Sequence, residues 1–152
     1  MTTANEVGDL ARDKAVTVAV AESLTAGNVA AALGAAPDSA EWFRGGIVAY
    51  STEVKHQLLD VPDIPVVSEA AAIAMATSVR AMMGADVAVA VTGVGGPGPQ
   101  DGEPAGSVWF AVATADGARG VYRRFDGGPA RVVDRSVRHA LELLLDAVHS
   151  AA

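Results

Sequence analysis

Short apolar stretches alternate with helix-forming stretches along this chain, and this order constrains its fold more than any other feature. Residues 16–21 and 87–91 are apolar runs of the kind found in strands that are covered on both faces of a sheet. Residues 45–51 begin with two glycines and continue into β-favouring side chains, which predicts a third strand. Two further strands, at residues 107–113 and 120–125, flank an Asp-Gly turn and should pair as an antiparallel hairpin.

Helices are predicted between and around these strands, with Ser68 a suitable N-cap and Gly84 a suitable end for one of them. The predicted helices cover residues 4–14, 24–33, 52–59, 69–83 and 130–149. Strands that alternate with helices, followed by a hairpin and a final amphipathic helix, predict one domain over residues 1–152. Its fold class should be α/β, a three-layer α/β/α domain with a mixed, mostly parallel sheet.

The composition of the chain narrows the possible functions. No apolar run approaches the ~18 residues that cross a bilayer, so we expect no membrane association and a cytoplasmic location. Cysteine is absent, which excludes thiolate nucleophiles and thiolate metal sites. The net charge of -7 argues against nucleic acid as a partner, because that affinity rests on Lys and Arg neutralising phosphates. An RNA-binding module would suit the architecture but not this charge.

The first predicted strand runs directly into a polar segment, Glu22 to Gly27, that carries a serine and a threonine. Ligands of open α/β sheets bind beyond the carboxyl ends of strands, so this segment is a candidate site. Two interpretations of Ser23 and Thr25 remain open. Their hydroxyls can cap the following helix, which their position alone favours, or Ser23 can act as a nucleophile.

Tyr50 and Lys55 follow the third predicted strand and also have two interpretations each. Lys55 is either a solvated helix residue or a general base, and Tyr50 is either a half-buried strand aromatic or the partner of that base. Nine of the eleven basic residues are Arg, so an indifferent surface position would more often carry Arg. Lysine, unlike arginine, can lose its proton once burial lowers its pKa. A neutral Lys55 can deprotonate Ser23, with Tyr50 relaying the proton or orienting the nucleophile.

Residues 93–106, the glycine loop, contain six glycines and three prolines, more than a simple connection needs. Their G-x-G-x-x-G pattern does not predict dinucleotide binding, because prolines intervene and the next element is a strand. The glycine loop is either a stiff surface connection or a backbone that points N–H groups at an anion or a carbonyl oxygen. His56, His139 and His149 lack the spacing of a metal site, so no metal is predicted.

Five segments together resemble the C-terminal domain family of the competence/damage-inducible protein CinA. They are A-E-S-L-T-A-G at residues 21–27, G-I-V-A-Y-S at 46–51 with Lys55 five residues after the tyrosine, V-S-E at 67–69, T-G-V-G-G-P at 92–97 and G-S-V-W-F-A at 106–111. Stand-alone members of this family are nicotinamide-nucleotide amidohydrolases. The resemblance implies a three-layer fold with a mixed sheet, and hydrolysis of nicotinamide mononucleotide to nicotinate mononucleotide and ammonia.

The resemblance also implies roles for individual residues. Carried over by position, Ser23 is the nucleophile, Lys55 the base and Tyr50 its partner, while backbone N–H groups near the helix start hold the oxyanion. The residues implied to bind substrate are Glu22, Thr25, Gly27, Thr92, Gly93, Gly95, Gly96 and, as a phosphate ligand, Arg131. No cofactor is implied. The expected partner is a small-molecule nucleotide, and the apolar-rich composition is compatible with a homo-oligomer.

Two departures from the family pattern keep an alternative open. Ala26 stands where the family has a glycine, and the segment before the last helix reads G-G-P-A-R where the family carries G-D-R. The alternative hypothesis is a catalytically silent nucleotide-binding or assembly domain of the same fold.

Overall fold

A five-stranded sheet lies at the centre of the structure, a computed structural model that describes residues 1–151. The strands are β1 Val18–Glu22, β2 Phe43–Val48, β3 Val87–Gly93, β4 Ser107–Thr114 and β5 Gly117–Arg124. The helices are α1 Thr3–Lys14, α2 Asn28–Gly34, α3 Thr52–Leu59, α4 Glu69–Met83 and α5 Pro129–Ser150. A single short 3-10 turn, Ser39–Glu41, precedes β2 in the described chain.

The order of the strands across the sheet is β2-β1-β3-β4-β5. β1 pairs in parallel with both β2 and β3, whereas β4 pairs in antiparallel fashion with β3 and β5. β4 is therefore the one strand of this sheet that runs against the other four. This arrangement confirms the predicted α/β fold class with a mixed, mostly parallel sheet.

Valine and alanine alternate along β1 and β3, so the valines lie on one face of the sheet and the alanines on the other. The valines of β1 and β3 lie on one face in a cluster with residues of α1, α2 and α5, which includes Val20, Val89 and Leu144. The alanines between them pack on the other face with α4, as Ala21 and Ala90 do beside its buried side chains. Small side chains on both surfaces let α4 approach the sheet closely, and the result is the predicted three-layer arrangement.

Most predicted elements lie within a few residues of the observed ones, but two differ in ways that matter for the site. The second helix begins at Asn28 and not at residue 24, because Ala26 and Gly27 have φ values of 51 and 96, in the left-handed region. β2 ends at Val48, so Tyr50 lies beyond the strand and not within it. Ser68 and Gly84 are the predicted caps of α4; the Ser68 hydroxyl accepts from the N–H of Ala71.

Candidate active site

A cavity of about 220 Å³ opens at the carboxyl ends of β1 and β3. The three polar segments that the sequence placed after strands meet here: the turn after β1, the start of α3 and the glycine loop after β3. The residues around the cavity are Ser23, Leu24, Tyr50, Lys55, Val66, Thr92, Gly93, Val94, Gly95, Gly96, Gly98, Pro99, Gln100 and Val133. Of the predicted site residues, Glu22, Thr25, Gly27 and Arg131 are not in this lining.

Glu22 is fully buried and forms the structural centre of the turn after β1. Its Oε1 accepts hydrogen bonds from the Thr25 hydroxyl at 2.6 Å and from the N–H of Val29 at 3.0 Å. Its Oε2 accepts from the N–H of Ala30 at 2.9 Å. The carboxylate thus satisfies donors in the first turn of α2, where an anion is favoured by the helix dipole. The Thr25 hydroxyl is used in the same network.

Ser23 does not cap a helix, so the first interpretation of this residue is wrong. The N-cap of α2 is Gly27, which has no side chain to contribute, and the capping acceptor is the Glu22 carboxylate. Ser23 is only 6% exposed, yet it lines the cavity, and its hydroxyl makes no hydrogen bond with residues 1–151. A hydroxyl that lies at a cavity wall without an internal partner is available to a ligand.

Lys55 is buried, with 2% of its surface exposed, so its interpretation as a solvated helix residue is wrong. Its ammonium donates a hydrogen bond to the backbone carbonyl of Tyr50 at 3.1 Å. Burial lowers the pKa of Lys55 below its usual value of 10.5, and the charge of Asp101 opposes this by raising the pKa. The neutral amine, the form that can accept a proton, is therefore more accessible here than at an exposed lysine.

Tyr50 lies at the mouth of the cavity and is 67% exposed, which overturns its interpretation as a half-buried strand aromatic. Its hydroxyl bonds to neither Ser23 nor Lys55 in this structure. The contact between Tyr50 and Lys55 is made through the tyrosine backbone. A side chain this exposed can contact a ligand that enters the cavity.

The glycine loop supplies free backbone donors to the cavity. Within the described residues, the N–H groups of Gly95, Gly96 and Gly98 make no hydrogen bond, and all three glycines line the cavity. A Cβ at Gly95 or Gly98 would meet nothing within 4 Å. The backbone is therefore open to close approach by a ligand, and it presents N–H groups of the kind that bind oxyanions.

Thr92 and Gly93 fix the end of β3 from which this loop departs. The buried hydroxyl of Thr92 donates to the carbonyl of Val66 at 2.8 Å, so it is engaged as a donor within the protein. A Cβ on Gly93 would lie 2.7 Å from the carbonyl oxygen of Ser107 on the neighbouring strand. Glycine is thus required at position 93 by the close approach of β4.

Asp101 is a residue of this region that the sequence interpretation missed. It lies at the tip of the glycine loop, where Gln100 and Glu103 exchange two backbone hydrogen bonds around a two-residue turn. Asp101 and Gly102 have φ values of 53 and 77. An Asp-Gly pair is the usual signature of such a turn and was the signal that could have located it.

Arg131 lies in the first turn of α5, exposed, with its aliphatic part against Gly127. Val133, two positions later, lines the cavity. Two positions correspond to about 200° around a helix, so the two side chains leave α5 on nearly opposite sides. The role of Arg131 as a phosphate ligand stays a prediction, and Lys55 is the only basic residue in the lining of the cavity.

Residues 1–151 contain neither a cluster of metal-ligating side chains nor a helix able to span a membrane. These residues hold no group of three or more His, Cys, Asp or Glu side chains that could bind a metal ion. His139 instead packs its ring against Phe110 and Phe125. None of the helices in this part of the chain combines the length and the apolar character needed to cross a membrane.

Fold and cavity together define an α/β domain that brings a serine and a buried lysine together where the strands end. The sequence model of the CinA C-terminal domain matches residues 1–148, and the chain belongs to that family. CinA-like proteins of Synechococcus sp. and Frankia casuarinae are 44% and 40% identical to it over 88% and 86% of this chain. The matches cover 34% and 31% of those relatives, so the chain spans about a third of their length.

Solved structures of the same superfamily share the fold along nearly the whole chain. The CinA superfamily protein of Klebsiella pneumoniae superposes with a TM-score of 0.92 at 35% identity, covering 98% of this chain and 97% of that one. The competence or damage-inducible protein of Enterobacter asburiae gives a TM-score of 0.91 at 30% identity, covering 97% and 99%. These likenesses establish family and fold.

Proposed function

We propose that the protein is an amidohydrolase that converts nicotinamide mononucleotide to nicotinate mononucleotide and ammonia. The observation that carries this proposal is the pairing, in one cavity, of an unpartnered Ser23 hydroxyl with a buried Lys55 whose pKa is lowered by desolvation. A serine needs a base to become a nucleophile, and a lysine acts as one only when it is neutral. Membership of the CinA family agrees with a hydrolase role.

The proposed reaction proceeds through an acyl-enzyme. Ser23 Oγ attacks the carboxamide carbon while neutral Lys55 takes the hydroxyl proton. The tetrahedral intermediate collapses, the C–N bond breaks, and the lysine returns the proton to the departing nitrogen, which leaves as ammonia. Water then attacks the ester, its proton passes through the same amine, and the product carboxylic acid and free serine result.

The oxyanion of that intermediate needs donors other than those expected from the sequence. The first-turn N–H groups of Val29 and Ala30 are already bound by Glu22, so the start of α2 cannot hold it. The N–H of Leu24, directly after the nucleophile, makes no hydrogen bond among residues 1–151 and Leu24 lines the cavity. We assign the oxyanion to Leu24 together with the free N–H groups of the glycine loop.

Ammonia release from nicotinamide mononucleotide tests the proposal. Ser23→Ala and Lys55→Met should each lower kcat by about a thousandfold or more, because each removes a group that acts in the bond-breaking steps. Ser150→Ala and Lys14→Met change the same residue types at the far end of the domain and should retain activity. If either site variant turns over substrate as fast as the wild-type protein, the substituted residue does not have the proposed catalytic role.

A second candidate function is the catalytically silent nucleotide-binding or assembly domain. It is favoured by the two departures from the family pattern, Ala26 in the turn after β1 and the altered arginine segment, whose Arg131 lies outside the cavity lining. Calorimetry separates the two: tight binding of the mononucleotide without ammonia release would support the silent domain. A homo-oligomer remains a prediction that light scattering would test.

A further inference from the structure

Asp101 has no part in the proposed reaction, but it contacts the wall of the cavity. Its Oδ2 accepts hydrogen bonds from the N–H of Val66 at 3.2 Å and of Val67 at 3.3 Å. Val66 lines the cavity, and its carbonyl accepts the Thr92 hydroxyl at 2.8 Å. Val66 is therefore held on its N–H side by the glycine loop and on its carbonyl side by the end of β3.

The turn at the tip of the glycine loop directs Asp101 to this wall. Gln100 and Glu103 exchange backbone hydrogen bonds of 3.0 and 2.8 Å, which closes a two-residue turn with Asp101 at its first position. Asp tolerates the left-handed backbone that this position requires. Gln100 and Pro99 line the cavity directly before it, so the carboxylate anchors the part of the loop that borders the site.

Asp101 also carries the carboxylate whose charge acts on Lys55, raising a pKa that burial lowers. Other titratable or charged groups lie on neighbouring segments, among them the exposed Asp60 at the end of α3. Tyr50 borders the same cavity; on α3, Glu53 is exposed and the ring of His56 lies against the carbonyl of Val61. α4, which packs against α3, carries its charged residues in its first and last turns, at Glu69 and Arg80.

We propose that Asp101 is a positioning residue of this site, whose carboxylate fastens the glycine loop to the Val66 and Val67 backbone at the cavity wall. A second effect follows from the negative charge of the same carboxylate, which favours the protonated form of Lys55. The two effects have separable chemical origins. Fastening needs an acceptor oxygen, which an asparagine also supplies. The action on Lys55 needs the negative charge, which an asparagine lacks.

Two substitutions divide these effects. Asp101→Asn keeps a carbonyl oxygen for the two N–H groups but removes the charge, so Lys55 should lose its proton at lower pH. Asp101→Ala removes both, so the amides of Val66 and Val67 should exchange their hydrogens about tenfold faster. Asp116→Asn, in the other Asp-Gly turn of the chain, is the matched control for both.

The experiment is NMR on the full chain, following the Lys55 side-chain titration and the exchange of the Val66 and Val67 amides. Asp101→Asn should lower the Lys55 midpoint and leave exchange near wild type, and the midpoint difference should shrink in about 1 M salt because the charge effect is screened. An unchanged Lys55 titration in Asp101→Asn, or unchanged exchange in Asp101→Ala, would overturn the proposal.

The expected effect of Asp101 on catalysis rests on the proposed function, and it is measured separately, by the pH dependence of the reaction rate. If neutral Lys55 is the base, the rising limb of the pH–rate profile should move to lower pH in Asp101→Asn by the same amount as the titration. The two NMR readouts need no turnover. A wild-type protein that releases no ammonia would therefore refute the amidohydrolase while leaving the role of Asp101 to be decided by titration and exchange.

Discussion

The buried ammonium of Lys55 donates a hydrogen bond to the backbone carbonyl of Tyr50 at 3.1 Å, which ties the lysine to the chain that precedes its helix. Between them, Ser51 caps α3 by accepting from the N–H of Val54 at 3.2 Å. The cap and the lysine bond together close a short loop that turns Lys55 inward and leaves the Tyr50 ring exposed. Within residues 1–151 no carboxylate forms an ion pair with this ammonium, so burial is not compensated by a direct partner.

The free energy of unfolding of the wild-type protein, measured relative to that of Lys55→Met, should increase as the pH rises toward 10.5. Burial lowers the pKa of Lys55 from 10.5, so between the lowered pKa and 10.5 the unfolded chain binds a proton that the folded chain does not. Stability rises with pH wherever the unfolded state binds more protons. Urea unfolding of both proteins across this range measures the difference in free energy of unfolding. A difference that is the same at every pH would contradict the burial of a titrating lysine.

Glu22→Gln should destabilise the protein by about 1–3 kcal/mol, because an amide nitrogen would face backbone donors that now share a carboxylate. The turn that carries Ser23 depends on these bonds, so kcat should fall while KM changes little. Urea unfolding and steady-state kinetics measure the two effects. Glu6→Gln, an exposed change on α1, is the control and should alter neither. A rise in KM alone would instead support a direct contact of Glu22 with substrate.

The sheet could be predicted because its pattern is local. Valine and alanine alternate within single strands, and this alternation assigns each strand two buried faces without reference to the rest of the chain. The meeting of three polar segments also followed from the sequence, because the carboxyl ends of parallel strands share one edge of the sheet. Neither inference required a contact between distant side chains.

The details of the site depend on such contacts and could not be predicted. The turn at Ser23 is fixed by Glu22 reaching the N–H groups of Val29 and Ala30, and this network displaces the helix start by four residues from its expected position. Asp101 reaches Val66 across 35 residues of chain. The side of α5 on which Arg131 lies depends on the rotation of this helix about its axis. The amphipathic pattern of the sequence predicts that rotation only approximately.

Ala26→Gly should stabilise the protein by about 0.5–1 kcal/mol and change kcat less than about twofold. Ala26 has φ 51, a left-handed conformation that is strained for alanine, but it is exposed and absent from the cavity lining. Ala15, with φ 57 at the end of α1, is a matched position far from the site, and Ala15→Gly should stabilise similarly. Ammonia release that appears only in Ala26→Gly would show that this residue, and not the arginine pattern, silences the domain.

Gly93→Ala and Gly98→Ala should separate the structural from the ligand-facing glycines of the loop. A methyl at position 93 would lie 2.7 Å from the Ser107 carbonyl oxygen and 2.9 Å from Val108 Cα, both backbone atoms that cannot move without displacing β4. We expect a loss of about 1–3 kcal/mol in the free energy of unfolding. A methyl at position 98 meets nothing within 4 Å, so Gly98→Ala should unfold like wild type. Because Gly98 lines the cavity, its variant should instead raise KM if substrate approaches the loop backbone, and an unchanged KM would exclude that approach.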